Sequence, residues 1–480
     1  MNHKILLINT PRTALGNMKP PPLGLLYLAG MLLKHNVDVR MIDGCVEKKG
    51  VVEKTIREYK PTIVGISCFT SGRKISLKVA RLVKKIDESI LVVMGGMHVT
   101  HMYQQVLENY PYVDICVRGE GEKTFLEIVQ GKNLFKIDGV AFRDGKEIIV
   151  TKNREYSKNL DEIPFPAWHL VDFKKYCVGR GKIRKGNILN KATKVNVIFS
   201  RGCMGRCNFC SIWWVWGNYR NRSAKNMADE IELLYKKFNI NHFEFTDDAL
   251  TLNKKEIIKL CNEIISRELH VSFMAITRAD FVDEEVLIAL KKAGCYRISF
   301  GVESGDPAIL KDMNKAIGSD NLKNAFALSR KVGIESLALI INGYFGETVK
   351  SINRTIDFLK EINPDRIGTR PGLFVYPGTN DYERCKKMGF INDNFWLGNR
   401  YLIRYTKEHN RLTLNSFSIA LFRRQKMSKY KIVNYFRFLP IYYRGRIAAY
   451  FPEPIRIIYH QTKVKLKELW KYPIFRGETK

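Results

Sequence analysis

The chain has 480 residues, too many for one hydrophobic core, and its 45% hydrophobic content is that of a globular protein. It contains no uncharged run of 18 apolar residues and no signal-peptide pattern at its start, so we expect a cytoplasmic protein of two or three domains. A net charge of +32 favours an anionic partner, either nucleic acid or a membrane surface. A general lysine bias in composition would give the same charge.

Residues 1–145 alternate short apolar runs with amphipathic stretches, which predicts βα units. The predicted strands are Lys4–Asn9, Asp38–Ile42, Thr62–Ser67, Leu91–Gly95 and Asp114–Val117. Helices are predicted between them, for example at Leu23–Leu33, Val51–Tyr59 and Ser76–Ile86. This alternation indicates an α/β fold with a parallel, doubly wound sheet, whose ligands bind beyond the carboxyl ends of the strands. The loops at those ends that would admit a ligand are Asn9–Pro22, Ser67–Gly72 and Gly95–Thr100.

A second α/β region follows a linker. Residues 146–194 contain two prolines and little periodicity, which is typical of a connector. Residues 195–379 return to βα units, six in number, so we expect a partial barrel rather than the eight units of a full one. The predicted strands are Val195–Ser200, His242–Thr246, Val271–Ile276, Tyr296–Gly301, Ser336–Asn342 and Arg366–Phe374. The predicted helices are Ala224–Phe238, Lys254–Arg267, Glu284–Lys292, Asn321–Val332 and Val349–Glu361.

Three of the ten cysteines lie close together, at Cys203, Cys207 and Cys210. The spacing CxxxCxxC after a barrel strand lets one short loop place three thiolates around one face of a cubane iron–sulfur cluster, with one iron left open to an external ligand. A chance grouping, or a zinc site without an obvious fourth ligand, is the alternative. The remaining cysteines are interpreted as reduced, mostly buried thiols: Cys45, Cys68, Cys116, Cys177, Cys261, Cys295 and Cys385.

At these three cysteines the chain resembles the radical S-adenosylmethionine (SAM) superfamily, over roughly residues 195–375. The resemblance implies a [4Fe–4S] cluster whose open iron is chelated by the amino and carboxylate groups of SAM. Reductive cleavage of SAM would then give a 5′-deoxyadenosyl radical that abstracts a substrate hydrogen. Phe209 matches the aromatic residue beside the last cysteine and would pack under the adenine. Plain packing in the core is its alternative role.

The resemblance also gives SAM-binding roles to four residues at barrel strand ends. Glu303 and Ser304, in the segment Phe300–Gly305, would reach the ribose or amino group, since a carboxylate accepts both ribose hydroxyls. Asp248 would either bind SAM or cap the following helix. Arg278 would pair with the methionine carboxylate. Without the cysteines, Glu303 would be interpreted as a surface residue.

The first domain resembles the cobalamin-binding domain of cobalamin-dependent radical SAM enzymes. The segments that carry this resemblance are Pro21–Gly30, Val64–Ser67, Gly95–His98 and Val117–Glu122. It implies that Ser67 hydrogen-bonds the base of the cobalamin tail, while Gly95 and Gly96 leave room for it. His98 would act as a hydrogen-bonding residue rather than as a cobalt ligand.

One departure from other cobalamin domains is the absence of the DxHxxG motif, whose His ligates cobalt. The nearest acidic segment is Asp43–Glu47, and it contains no His. Many radical SAM relatives also lack the motif, so we expect cobalamin to bind without a protein His on cobalt. A scaffold that no longer binds cobalamin is the alternative.

Residues 380–480 form a basic, aromatic carboxyl-terminal region that we expect to be helical. Positions 401–480 hold 18 Lys and Arg against 4 Asp and Glu, a net charge of +14. Aromatic and basic residues alternate through 421–476, which suits peripheral contact with an anionic membrane. Nucleic-acid binding by base stacking, and a basic cap over the barrel, are the alternatives. The family that this chain resembles includes enzymes that methylate hopanoids or cyclise a porphyrin ester. The resemblance therefore favours a hydrophobic or lipid-like small-molecule substrate over nucleic acid.

The sequence therefore predicts a cobalamin-dependent radical SAM enzyme that methylates an unactivated carbon. In this form, methylcobalamin would donate the methyl group to the substrate radical, and a flavodoxin or ferredoxin would supply electrons. A radical cyclase or carbon–carbon coupling enzyme would have the same motifs. A tRNA-modifying methylthiotransferase is the rival from another substrate class, but Cys45, Cys68 and Cys116 lack the contexts that it requires.

Overall fold

The computed structural model describes residues 3–11, 20–48, 50–176 and 194–422. Part of the loop Asn9–Pro22, Cys177 and most of the basic stretch of the linker lie outside the described residues. The same holds for the aromatic and basic run 421–476 from residue 423 onward.

The first unit is a seven-stranded sheet. Its strands are β1 (Lys4–Asn9), β2 (Asp38–Asp43), β3 (Ile63–Ser67), β4 (Leu91–Gly95), β5 (Ile115–Val117), β6 (Val140–Asp144) and β7 (Glu147–Val150). Their order is β2-β1-β3-β4-β5-β6-β7, and neighbours are parallel as far as β5. The hairpin of β6 and β7 is antiparallel, so the sheet continues beyond the boundary predicted at residue 145.

Helices cover both faces of this sheet, which confirms the doubly wound fold. They are α1 (Leu23–Lys34), α2 (Val51–Tyr59), α3 (Arg73–Ile86), α4 (Met97–Asn109) and α5 (Glu122–Val129). Because alternate residues of a strand point to opposite faces, Leu6 and Ile8 pack in the core under α2, α3 and α4. Ile5 and Leu7 pack in the core under α1 and α5.

The described part of the linker is folded onto both units. It contains three short 3₁₀ turns, at Leu160–Glu162, Trp168–Leu170 and Phe173–Tyr176. The indole of Trp168 is buried and donates to Glu230 Oε1 at 3.0 Å. Ala167 N donates to Leu26 O at 3.0 Å, so this segment lies between the first unit and the second.

The second unit is a six-stranded parallel sheet accompanied by a short antiparallel pair. Its chain order is β8 (Lys194–Val197), β9 (Ser200–Arg201), β10 (Arg220–Asn221), β11 (His242–Phe245), β12 (Ser272–Thr277), β13 (Cys295–Glu303), β14 (Glu335–Ile341) and β15 (Arg366–Arg370). The sheet order is β15-β14-β13-β12-β11-β8, while β9 pairs with β10. Buried and half-buried residues alternate along β12 and β14, as expected for strands packed on helices by one face and lining a barrel interior with the other.

The helices of this unit are α6 (Ile212–Trp216), α7 (Ala224–Phe238), α8 (Lys254–Ser266), α9 (Glu284–Lys292), α10 (Pro307–Asp312), α11 (Ser319–Val332) and α12 (Val349–Ile362). Several of these helices begin at a residue whose side-chain oxygen accepts a hydrogen bond from a backbone N–H of the first turn. Ser223, Asn253 and Asp283 cap α7, α8 and α9 in this way. The partial barrel of six strands is thus confirmed.

The described residues after β15 contain two α-helices and a short antiparallel pair of strands, which confirms the helical character of the carboxyl-terminal region. Its elements are β16 (Phe374–Val375), α13 (Asn380–Lys387), β17 (Ile403–Arg404) and α14 (Arg411–Phe422). Buried Arg73 of α3 donates to carbonyl oxygens of Trp396, Gly398, Arg400 and Tyr401, at 2.6–3.2 Å. This segment is therefore held against the first unit. None of the described helices has the length and apolar character needed to cross a bilayer.

Candidate active site

The three clustered cysteines lie on a loop between β9 and α6, beyond the carboxyl end of β8. Cys207 is buried, while Cys203 and Cys210 are half-buried. Gly205 N lies 3.3 Å from Cys203 Sγ, and Cys210 N donates to Cys207 O at 3.1 Å, so the chain curls around its own thiols. Among the described residues, no three Cys, His, Asp or Glu side chains converge as ligands of one metal ion. In a cubane cluster each thiolate binds a different iron.

The cysteine loop is anchored to neighbouring elements through Asn208. Its backbone N donates to Met313 O at 2.9 Å, and its side-chain amide donates to Asp312 O at 2.7 Å. In the other direction, Asp381 N donates to Asn208 O at 3.1 Å. The loop is thus fixed between the carboxyl end of α10 and the first turn of α13.

Two cations face the thiols. Arg278, just after β12, forms a bidentate pair with Asp280 at 2.7 and 3.0 Å. Its remaining nitrogen, Nη1, points at the cysteine loop, because a Cβ built on Gly205 would lie 3.1 Å from it and 3.5 Å from Cys203 Sγ. Burial raises the pKa of the Cys207 thiol, and the positive charges of Lys315 and Arg278 oppose this effect. Thiolate ligands are favoured by such neighbours.

Glu303 ends β13 in an unusual conformation beside the thiols. Its φ is 62°, in the left-handed region that residues other than glycine rarely adopt. Glu303 Oε1 lies 3.3 Å from Lys315 Nζ, and both side chains are about nine-tenths buried. A Cβ on Gly301 would come within 2.5 Å of Glu303 Oε1 and 2.9 Å of Lys315 Nζ, so a side chain there would displace this pair.

Asp248 also belongs to this group of residues. It accepts a hydrogen bond from the backbone of Gly202, next to Cys203, and lies near the Cys210 thiol. Burial and the neighbouring Asp247 raise its pKa to about 7. The helix that follows is capped by Asn253 instead, so the alternative role of Asp248 as a cap is excluded.

Ser304 is placed differently from the prediction. Its side chain is fully buried against α12, where its hydroxyl lies 3.2 Å from Thr355 Oγ1 and accepts from Asp306 N at 3.1 Å. The hydroxyl is therefore engaged within the fold, and its contact with SAM stays a prediction. Phe209 is half-buried and packs on an aromatic core that includes Tyr344 and Trp396.

The loops predicted to bind cobalamin meet at the carboxyl end of the first sheet. Nothing but Val117 comes within 4 Å of a Cβ built on Gly95, so this position is open. Gly96 is required by the fold itself, because its φ is 103° and a Cβ there would lie 3.0 Å from Cys68 O. Its predicted role of leaving room for cobalamin stays a prediction. The Ser67 carbonyl accepts from Ser76, whereas its hydroxyl has no hydrogen bond within the described part of the chain.

Two histidines of α4 carry buried nitrogens that have no hydrogen-bond partner in the described residues: Nδ1 of His98 and Nε2 of His101. Burial lowers the pKa of His98 to about 3 and that of His101 to about 4, so both rings are neutral. The His98 ring meets Trp396 edge-on at 5.7 Å, and the His101 ring packs on Gly378. The open position at Gly95 and the Ser67 hydroxyl, which has no partner in the described residues, fit a ligand that, like cobalamin, is rich in hydrogen-bonding groups.

Buried ion pairs join the two units directly behind the cysteine loop. Arg201 Nη1 lies 3.2 Å from Glu120 Oε1, and Arg201 Nη2 lies 2.6 Å from Glu122 Oε1. Arg220 also contacts Glu120, at 2.9 Å. Sequence reasoning did not assign a role to Lys315, Arg201 or Arg220. The acidic pair in the segment Val117–Glu122 was the only signal for this junction, and its partners are distant in sequence.

Comparison with known proteins agrees with this arrangement. Residues 14–129 match the B12 binding domain family, and residues 197–359 match the radical SAM superfamily. The chain is 35% identical, over 76% of its length and 78% of the relative's, to an uncharacterized methyltransferase, PH0819, of Pyrococcus horikoshii. It is 30% identical to the anaerobic magnesium-protoporphyrin IX monomethyl ester cyclase of a Synechocystis strain, over 78% of this chain and 75% of that protein.

A solved structure has a similar fold over most of this chain. The cobalamin-dependent SAM radical enzyme OxsB, with aqua-cobalamin and SAM bound, superposes with a TM-score of 0.74 at 18% identity. The match covers 96% of this chain and 72% of that one. The chain therefore belongs to the radical SAM enzymes that carry an amino-terminal B12-binding domain. Its cofactors are the [4Fe–4S] cluster, SAM and cobalamin.

Proposed function

We propose that this enzyme transfers a methyl group to an unactivated carbon of a hydrophobic, lipid-like substrate. The observation that carries the proposal is the grouping of three thiols, two cations and two carboxylates at the barrel rim, in a chain whose B12-type domain has an open glycine loop at the carboxyl end of its sheet. Bound there, the three cofactors supply reductive SAM cleavage, hydrogen abstraction and methyl transfer. The similarity to a methyltransferase of Pyrococcus horikoshii supports methylation over other uses of a radical.

We assign each residue of the group a task that its position supports. Cys203, Cys207 and Cys210 hold three irons of the cluster. Arg278 Nη1 and Lys315 keep positive charge at the thiolates and at the carboxylate of SAM. Glu303 and Asp248 offer acceptors to hydroxyl or ammonium groups of SAM. In the first unit, the Ser67 hydroxyl would hydrogen-bond cobalamin, and Gly95 would let it approach.

A second candidate is radical cyclisation, which the similarity to the Synechocystis cyclase favours. The two functions differ in the fate of the SAM methyl group. With SAM labelled in its methyl group, a methyltransferase passes the label to the corrinoid fraction and then to a product. A cyclase forms 5′-deoxyadenosine without moving the label.

The central claim is tested by anaerobic reconstitution with iron, sulfide and cobalamin, followed by measurement of iron content and of 5′-deoxyadenosine. We expect a cluster in the wild type and in the control Cys45→Ser, whose thiol lies in the first unit. The triple variant Cys203→Ala/Cys207→Ala/Cys210→Ala should have neither cluster nor 5′-deoxyadenosine. An unchanged signal in the triple variant contradicts the assignment, whereas loss of cobalamin on gel filtration contradicts only the second cofactor.

The electron donor is proposed to dock beside the cysteine loop. Met204 is 64% exposed and Trp214 is 46% exposed, an unusual apolar surface next to the thiols. Exposed Arg206 lies over the Trp213 ring at 5.1 Å, and its charge suits an acidic flavodoxin or ferredoxin. The variant Arg206→Glu should slow reduction by flavodoxin while leaving reduction by dithionite unchanged. Equal slowing by both reductants contradicts this docking site.

Membrane contact through the carboxyl-terminal tail stays a proposal, because residues 423–480 lie outside the described residues. The net charge of positions 401–480 supports it. Flotation with anionic liposomes, compared with retention of tRNA on the same protein, separates membrane binding from nucleic-acid binding. Retention of tRNA without flotation contradicts the membrane proposal.

A further inference from the structure

A cavity of about 560 Å³ lies near the carboxyl end of the described residues, between the antiparallel pair β16–β17 and the segment 390–402. Its walls include four aromatic residues, Phe374, Phe390, Phe395 and Tyr401, and the aliphatic residues Ile391, Leu402 and Ile403. The volume is within the range of small-molecule sites. None of these wall residues belongs to the group that we assign to cofactors, so the cavity is a separate feature.

Three arginines, Arg400, Arg404 and Arg411, also line this cavity. Within the described residues, none of them forms an ion pair, although arginines nearby do: Arg384 lies 2.7 Å from Asp312 Oδ2. The acidic residue closest to them in sequence, Glu408, is already engaged by Gly346 N at 2.7 Å and by the Tyr405 hydroxyl at 3.2 Å. In the part of the chain that the structure describes, the positive charge of the cavity is therefore not neutralised.

Arg404 is held in place rather than free to move into solvent. Its guanidinium lies over the Phe374 ring at 5.2 Å. Its aliphatic stem packs on Gly372, where a Cβ would come within 2.7 Å of Arg404 Cγ. Burial and the like charge of Arg411 lower the pKa of Arg404. An anion bound nearby would offset both the loss of hydration and the repulsion between the two guanidinium groups.

We infer that this cavity binds an amphiphilic anion, a molecule with an apolar body and one carboxylate or phosphate group. The apolar body lies against the aromatic walls, and the anionic group pairs with Arg404 and Arg411. A guanidinium offers two parallel donors to a carboxylate or phosphate, so two arginines fix the end of the ligand. The ligand is either a free small molecule or the headgroup end of a membrane lipid, which share this chemistry.

The test uses the full chain and measures binding of lysophosphatidate below its micelle concentration, with monoacylglycerol as the matched uncharged probe. We expect lysophosphatidate to bind about tenfold more tightly than monoacylglycerol. The double variant Arg404→Gln/Arg411→Gln should weaken lysophosphatidate binding by about tenfold and leave monoacylglycerol unchanged. The control Lys387→Gln/Lys407→Gln removes two exposed charges of the same region that do not line the cavity.

Three outcomes would overturn the inference. They are equal affinity for the two probes, an equal loss of lysophosphatidate affinity in the two double variants, and no binding of lysophosphatidate to the wild type. Inorganic phosphate that displaces lysophosphatidate when both are at the same concentration would also overturn it, because the apolar body would then contribute nothing.

Vesicles of phosphatidylcholine with and without phosphatidate show whether the ligand is a membrane lipid or a free molecule. Capture that depends on phosphatidate and on the two arginines supports a membrane lipid, whereas binding of the monomeric probe alone supports a free ligand. Thermal midpoints of the variants establish that they fold.

Discussion

Glu122 Oε1, on the first residue of α5, lies 2.6 Å from Arg201 Nη2, two residues before the first cluster cysteine. Both side chains are at least nine-tenths buried. Arg201 also lies over the rings of Tyr27 and Trp216, so its guanidinium is enclosed by both units. A buried charge is tolerated only when it is paired, and this requirement fixes the cysteine loop relative to the B12-type domain.

Breaking this pair should loosen the junction between the two units. Glu122→Gln is expected to cost about 2 kcal/mol, less than a fully broken buried pair, because Glu120 still faces Arg201. The measurements are the thermal midpoint, the iron content after reconstitution, and the rate of limited proteolysis, which should rise. The control Lys123→Gln removes an exposed neighbour and should behave as the wild type. Unchanged iron content and proteolysis in Glu122→Gln would show that the pair does not position the loop.

The sequence predicted the repeating elements well because their signal is local. The bounds of β1, β4, α2, α7 and α9 agree to the residue, since apolar periodicity and capping residues define them. The same pattern located Cys203, Arg278 and Glu303 at strand ends, where parallel strands bring distant residues together. Prediction was weaker wherever a side chain's direction depended on tertiary structure.

Ser304 shows why. The register of β13 against β14 shifts between Gly301 and Glu303, so the simple alternation of side chains ends there. Glu303 then faces the thiols in a left-handed conformation, and Ser304 turns into the core. Lys315 reaches Glu303 only because the chain folds back after α10. Neither feature has a periodic signal in the sequence.

The Glu303–Lys315 pair should control the affinity for SAM. Glu303→Gln keeps the shape but removes the charge, so we expect SAM to bind about tenfold more weakly to the reconstituted protein. Lys315→Met should weaken binding as well, because Glu303 is then left buried without its cation. Equilibrium dialysis with SAM measures both, with Glu383→Gln on the exposed face of α13 as the control. SAM affinity equal to wild type in both variants would contradict the assignment.

Gly95 and Gly96 allow a matched test of cobalamin binding. Gly95→Ala adds a methyl group that only Val117 approaches, at 3.8 Å, so the fold should be unaffected while retained cobalamin decreases. Gly96→Ala places a side chain at φ 103° against the Cys68 carbonyl, so it should lower the thermal midpoint even without cobalamin. Cobalamin per chain after gel filtration and the thermal midpoint of the cofactor-free protein are the two readouts. Full cobalamin retention by Gly95→Ala would place the cofactor elsewhere.

Glu347, in the turn between β14 and α12, should make stability depend on pH. Burial raises its pKa from 4.5 to about 7, against the opposing effect of hydrogen bonds from the amides of Gly343 and Tyr344. Asp306 and Glu408 raise the pKa further. The folded chain therefore binds this proton more tightly than the unfolded chain does, and stability decreases as the pH rises from about 4.5 to about 7.

Glu347→Gln removes this titration while its amide oxygen still accepts from the same backbone groups. The thermal midpoint of the variant relative to wild type should therefore increase between pH 5 and pH 8, by an amount corresponding to at most about 3 kcal/mol. The control Glu361→Gln, on the exposed end of α12, should give a difference that does not depend on pH in this range. A constant difference for Glu347→Gln as well would mean that the carboxylate is stabilised in the fold as an anion, by neighbours that outweigh its burial.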